Sequence, residues 1–234
     1  MIGRITTFVV GGLCLVTSPP AQAGDAAQAS NSSGFYVIGR VGSALPIDQD
    51  ITSEVLGEGD YDPDGGFGLQ GAIGKHLGGG WRAEVSYTWL RGTDGKATFD
   101  DSFFPVELKL DGRGESDTVL FNVLKTVGTF ETFVGQVSPF VGAGIGFSHL
   151  DRSDITLAGA PSGFLAGDST DTVFAAAAHI GFETELAPGV TLSSQWSFQY
   201  ADEAHFDNVL FGTDLTRDGQ VQVLSFTGLR FDLN

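Results

Sequence analysis

Apolar residues alternate with small or polar ones in segment after segment of this chain. After Gly24 no helical stripe with a period of about 3.6 residues interrupts that period of two. Trp81–Leu90 is the clearest case: Trp81, Ala83, Val85, Tyr87 and Trp89 share one face, and Arg82, Glu84, Ser86, Thr88 and Leu90 the other. The same reading predicts strands at Phe35–Ala44, Phe67–His76, 118–127, Pro139–Leu150, Thr172–Leu186, Val190–Tyr200 and Gln220–Phe231. The last is the least regular, and its pattern points to a bulge that exchanges faces near Ser225. Each segment runs for about ten residues, the length a tilted strand needs to cross a bilayer.

The connections differ in length by turns. Those at Leu77–Gly80, 128–138 and Ala187–Gly189 are the shorter set; those at 45–66, 91–117, 151–171 and 201–219 are long. An antiparallel meander with unequal ends requires this alternation, and outer-membrane barrels have short periplasmic turns and long external loops.

Which face meets which solvent follows from bulk. The more apolar face collects Trp81, Tyr87, Trp89, Phe121, Trp196, Phe198 and Tyr200, while the other collects Gly, Ser, Gln and a few charges. A soluble barrel or sandwich, the competing solution, would invert this. The run Val141-Gly-Ala-Gly-Ile-Gly-Phe147 sharpens the choice, because glycine at successive inward positions would leave voids in a protein core. In a narrow lumen those glycines leave room for side chains crossing from opposite strands. The expected fold is therefore all-β: a closed antiparallel up-and-down transmembrane β-barrel of eight strands, with ten as the alternative count. Closure is what makes the bilayer accessible, since an open edge would expose unpaired amides to hydrocarbon.

The N-terminus fits an exported chain. Arg4 precedes the apolar run Phe8–Val16, Ser18-Pro19-Pro20 ends it, and Ala21-Gln22-Ala23 has the form of a cleavage site. Residues 1–23 are thus expected to be a signal peptide, 24–33 a flexible polar segment, and 34–234 the barrel. The only cysteine, Cys14, lies in the signal, so no disulfide staples the fold. Net charge of −17 excludes ordinary nucleic-acid binding, which requires a basic face against phosphates.

Charges on the inward face must pair. Arg40 and Glu84 fall at comparable depth, Arg82, Glu183 and Arg230 lie nearer the periplasmic end, and Asn122, Gln195 and Gln199 can hydrogen-bond. We read these as a polar cluster filling the lumen rather than a gate, because an eight-stranded barrel is only wide enough for side chains.

In order along the chain, Gly34-Phe-Tyr-Val-Ile-Gly-Arg-Val-Gly42, Trp81-Arg-Ala-Glu-Val-Ser-Tyr87, Pro139-Phe-Val-Gly-Ala-Gly-Ile-Gly-Phe147 and Gly228-Leu-Arg-Phe231 resemble the opacity-type outer-membrane β-barrel family. The barrel of outer-membrane protein A is a more distant likeness. The resemblance implies a surface antigen, adhesin or envelope-stabilising protein of a Gram-negative outer membrane. It also implies assembly by the barrel-assembly machinery, although Asp232-Leu-Asn234 here follows the last aromatic, Phe231.

Three further expectations concern the loops. Asp60, Asp62 and Asp64 stand at alternate positions as in the start of a calcium loop, but Gly71 occupies the place of the closing glutamate, so a solvated acidic loop is the expectation and cation binding the alternative. Loop two is expected to fold as a hairpin, 98–104 against 106–110. His149 and His205 lie near external Ser, Asp and Glu residues, and His76 and His179 are placed toward the periplasmic end; no nucleophile, base and orienting group converge, so no enzyme is expected. The expected role is interaction at the surface, with lipid, lipopolysaccharide and a host or cell-surface ligand as partners. A narrow porin-like channel comes second and a lipid A-modifying enzyme third.

Overall fold

In the computed structural model, the described residues are 34–47, 49–53, 57–63, 65–99, 106–132, 135–157, 169–210 and 213–233. The expected signal and polar segment lie outside them, as do Asp64 and residues 100–105 of loop two. Eight strands close into an antiparallel barrel: β1 (Phe35–Pro46), β2 (Gly66–Gly78), β3 (Trp81–Phe99), β4 (Val106–Thr126), β5 (Gly135–Leu157), β6 (Ser169–Ala187), β7 (Val190–Ala201) and β8 (Gln220–Leu233). Each pairs with its sequence neighbours, and β1 closes the ring on β8 with Phe35 opposite Leu233. The ladders thereby run around the ring without an open edge, as a membrane-spanning β-structure demands.

Parity is as the alternation predicts, with bulk outside. Ile145 and Phe147 on β5 are 60% and 63% exposed, values incompatible with a core position, whereas Tyr36, Leu124, Phe140 and Phe226 point inward and are buried. The apolar band has a polar margin at each end. Tyr87 donates a hydrogen bond to Asp117 and Tyr200 to Asp202 near the long-loop rim. Lys75 lies over Phe35 and Lys125 over Trp81 at the short-turn rim.

β8 departs from expectation. Its register against β1 and β7 runs without a shift, so no bulge exchanges its faces near Ser225. Gln222, Leu224, Phe226 and Arg230 point inward and Ser225 and Thr227 outward. The strand looked irregular because its lumen side carries large apolar groups, which have a steric purpose. A Cβ added at Gly42 would strike Phe226, one at Gly68 Leu90, one at Gly74 the Tyr36 ring, and one at Gly181 the Phe140 ring. Large residues sit over glycines on adjacent strands. The β5 glycines follow the same rule, which corrects the expectation of side chains arriving from opposite strands: Gly142 makes room for Leu124 and Gly144 for Asn122, both on neighbouring β4.

The short turns are built from residues that tolerate their geometry. Gly79 and Gly80 have φ of +57° and +78°, the pair of left-handed positions a type I′ hairpin requires. At the β6–β7 turn, Pro188 precedes Gly189 (φ +78°), a sequence suited to type II. At the other end, the ladder continues well past the predicted boundaries. Phe99 pairs with Val106 and Lys96 with Lys109, so it is 95–99, rather than the expected 98–104, that lies against 106–110 as an extension of β3 and β4; residues 100–105 lie outside the described residues. Short strands Gln49–Ser53, Gly57–Pro63, Ala204–Leu210 and Thr213–Arg217 add to this wall, with Gly59 opposite Phe99 and Arg217 opposite Ile51. Much of what reads as loop is therefore sheet standing clear of the bilayer.

Candidate functional site: the barrel lumen

Over the membrane-spanning part of the strands every second residue enters the lumen, so its contents were set by strand parity. At the short-turn end, Glu183 of β6 reaches across to β3 and β8: one oxygen, Oε2, lies 2.6 Å from Arg82 Nη1 and 2.6 Å from Arg230 Nη1. Arg230 also donates to Thr191 (3.2 Å) and to Asp232 (3.1 Å), and Asp232 stands 3.5 Å from His76. The Arg82 guanidinium covers the Phe140 ring at 4.6 Å.

One step further in, Arg40 of β1 ties four strands together. It donates to Gln70 of β2 at 2.6 Å and Ser193 of β7 at 3.1 Å, and stands 3.7 Å from Glu84 of β3. Glu84 accepts the Tyr36 hydroxyl at 3.1 Å, and Gln70 passes the chain on to Thr88 at 3.0 Å. Arg40, Arg82, Glu84 and Glu183 are each at most 5% exposed. Such charges persist only when paired, because an isolated ion in this setting costs several kcal/mol.

At mid-height His179 bridges Asn122 (Nε2 to Oδ1, 2.9 Å) and Ser197 (Nδ1 to Oγ, 2.8 Å). Asn122 spends its amide on Ser86, so its carbonyl must accept from His179, which places the imidazole proton on Nε2. Gln195 donates to Ser197 at 2.9 Å and supports the same group. His179 thus lies deeper than its expected place near the periplasmic end. Higher still, Gln199 donates to Thr118, which shares hydrogen bonds with Ser148.

All eight residues expected in the lumen, Arg40, Arg82, Glu84, Asn122, Glu183, Gln195, Gln199 and Arg230, are buried there. Sequence reading missed Tyr36, Gln70, Ser193, Thr191 and His179 as their partners; the signal available was their shared parity, with nothing to fix their height. Asp60 is exposed on the strand Gly57–Pro63, opposite Asp50. Among the described residues no group of His, Cys, Asp and Glu is placed to hold a metal ion. The external histidines stay apart: His149 bonds Thr172, while His205 lies near Glu203 and Thr216.

A closed eight-stranded barrel with an apolar belt and a filled polar interior defines a class of outer-membrane protein. The chain belongs to the family described as the outer membrane protein beta-barrel domain, which it matches over residues 11–223, and it is a protein of the bacterial outer membrane. It is similar in structure to outer membrane protein OprG from Pseudomonas aeruginosa (TM-score 0.59, 15% identity, covering 86% of this chain and 97% of that one). It is likewise similar to outer membrane protein AlkL, solved in DMPC lipid bilayers (TM-score 0.51, 14% identity, 93% and 96% covered). At these identities the likeness concerns the fold. Comparison with curated proteins gives no match.

Proposed function

We propose that this protein is a non-conducting barrel that anchors an acidic interaction surface outside the outer membrane and acts without catalysis. The observation that carries this reading is the Glu183 carboxylate held at 2.6 Å by both Arg82 and Arg230, from strands on different sides of the lumen. With the Arg40–Glu84 layer directly above, it ties the walls together through the barrel axis. Glycine-seated Phe226, Tyr36 and Phe140 take up space between the ties. This is a plug, as expected of so narrow a barrel.

The external surface is then the working part. The long loops carry most of the acidic residues, and 45–66 has no Lys or Arg. Such a surface favours a basic site on a host or neighbouring cell, with divalent cations bridging to lipopolysaccharide phosphates as a subsidiary role. Against catalysis stands the burial of the chain Ser197–His179–Asn122, enclosed where no substrate carbonyl or phosphate would reach it.

Planar-bilayer recording tests the proposal. The wild-type protein is expected to give no steady conductance, and Glu183→Ala with Arg82→Ala to introduce one. Steady wild-type conductance that changes with Arg40 or Glu84 substitution would establish the channel instead.

A further inference from the structure

The lipid-facing surface carries its charges unevenly. At the outer rim Arg91 lies 3.7 Å from Glu115, and Asp117 accepts the Tyr87 hydroxyl. At the periplasmic rim the outward charges on β2 and β4 are lysines, while the exposed carboxylates at this end, Glu131 and Glu185, stand on the β4–β5 connection and on β6. Lys75 on β2 lies 5.1 Å from the Phe35 ring centroid, and Lys125 on β4 lies 5.0 Å from that of Trp81 while donating to the Gly79 carbonyl. Arg40, Arg82, Arg91 and Arg230 all reach carboxylates, but neither lysine does among the described residues. Neither lysine is neutralised within the chain, so both can meet an anion supplied from outside it.

The ground between them suits a phosphate. Lys75 is in register with Ala83 and Lys125 with Trp81, so the lysines flank β3 with backbones roughly 12 Å apart at the usual strand spacing and rise. In the structure the Lys75 ammonium rests over Phe35 on β1 and the Lys125 ammonium over Trp81 on β3, on either side of β2, so a shared phosphate requires the flexible Lys75 side chain to swing across toward the glycine turn. The β2–β3 turn at this spot, Gly78–Gly80, is bare: a Cβ at Gly78 or Gly79 would meet nothing within 4 Å. Directly above, the half-exposed rings of Phe35 and Trp81 begin the apolar band.

We propose that Lys75, Lys125 and the glycine turn form a binding site for the phosphate of an anionic phospholipid in the periplasmic leaflet. The lysines take the phosphate, and the rings below them take the start of the acyl chains. A soluble phosphate would use only the first half of this arrangement. Each lysine beside an anionic lipid surface is worth about fivefold in binding.

The test is native mass spectrometry of the folded protein released from nanodiscs of phosphatidylglycerol diluted in phosphatidylcholine, with heat-modifiable migration confirming the fold of each variant. The wild type should retain phosphatidylglycerol preferentially. Lys75→Gln and Lys125→Gln should each weaken that preference about fivefold, and the double variant should abolish it. Lys75→Arg and Lys125→Arg should keep it, and so should Arg91→Gln at the other rim. Equal retention of both lipids by the wild type, or an unchanged preference in the double glutamine variant, would overturn the proposal. Displacement of the lipid by glycerol 3-phosphate at equal concentration would overturn the assignment to a lipid in favour of free phosphate.

Discussion

A buried carboxylate depends on its partners more than an exposed one does, and Glu183 serves two guanidinium groups with one oxygen. Glu183→Ala leaves Arg82 and Arg230 facing each other with that charge removed, and the expected loss is about 3–5 kcal/mol. Urea titration in micelles, read by heat-modifiable migration, should show a clearly lower midpoint; an unchanged one would mean that the arginines find other partners. At this scale the sequence was informative about side and uninformative about height. Arg40, Arg82, Glu84, Glu183 and Arg230 could be placed inside because inward charges must pair. That Ser193 and Gln70 would meet Arg40, or that His179 would settle between Asn122 and Ser197, depends on the stagger of strands around the ring, which no local pattern encodes.

Elements were legible where the bilayer imposes alternation and illegible where it does not. The β3 and β4 extensions beyond Arg91 and before Asp117 hold their ladder in water, so they need no apolar face, and their polar composition read as loop. β8 misled for the opposite reason, since Phe226 faces inward over Gly42 of β1 and Leu224 packs inward with Ala44, Leu90 and Phe226. Turns were plain, because their glycines are obligatory. Gly79→Val would force a β-branched residue to φ near +57°, at a cost of about 1–2 kcal/mol, whereas Gly79→Asn should be close to neutral. Refolding yield and urea midpoint of the two variants, compared side by side, check this; equal behaviour would remove the turn from the account of stability.

For the whole molecule, the bilayer acts as part of the structure. Ile145, opposite Phe121 on one side and Ala176 on the other, stands in the middle of the belt. Ile145→Arg should destabilise the protein in lipid vesicles by about 2–4 kcal/mol, and arginine at Phe35 on the rim by no more than about 1 kcal/mol. Equal penalties at the two depths would contradict the membrane position assigned to the belt.

The tie from Arg230 to Glu183 also governs how the ring is completed. While β8 is not docked between β7 and β1, the carboxylate on β6 can serve Arg82 alone. The final seam and the final ion pair therefore form in one event. An unfinished sheet lacks both its edge bonds and its internal counter-charge, so partly closed intermediates are penalised twice and the population divides between open precursors and finished cylinders.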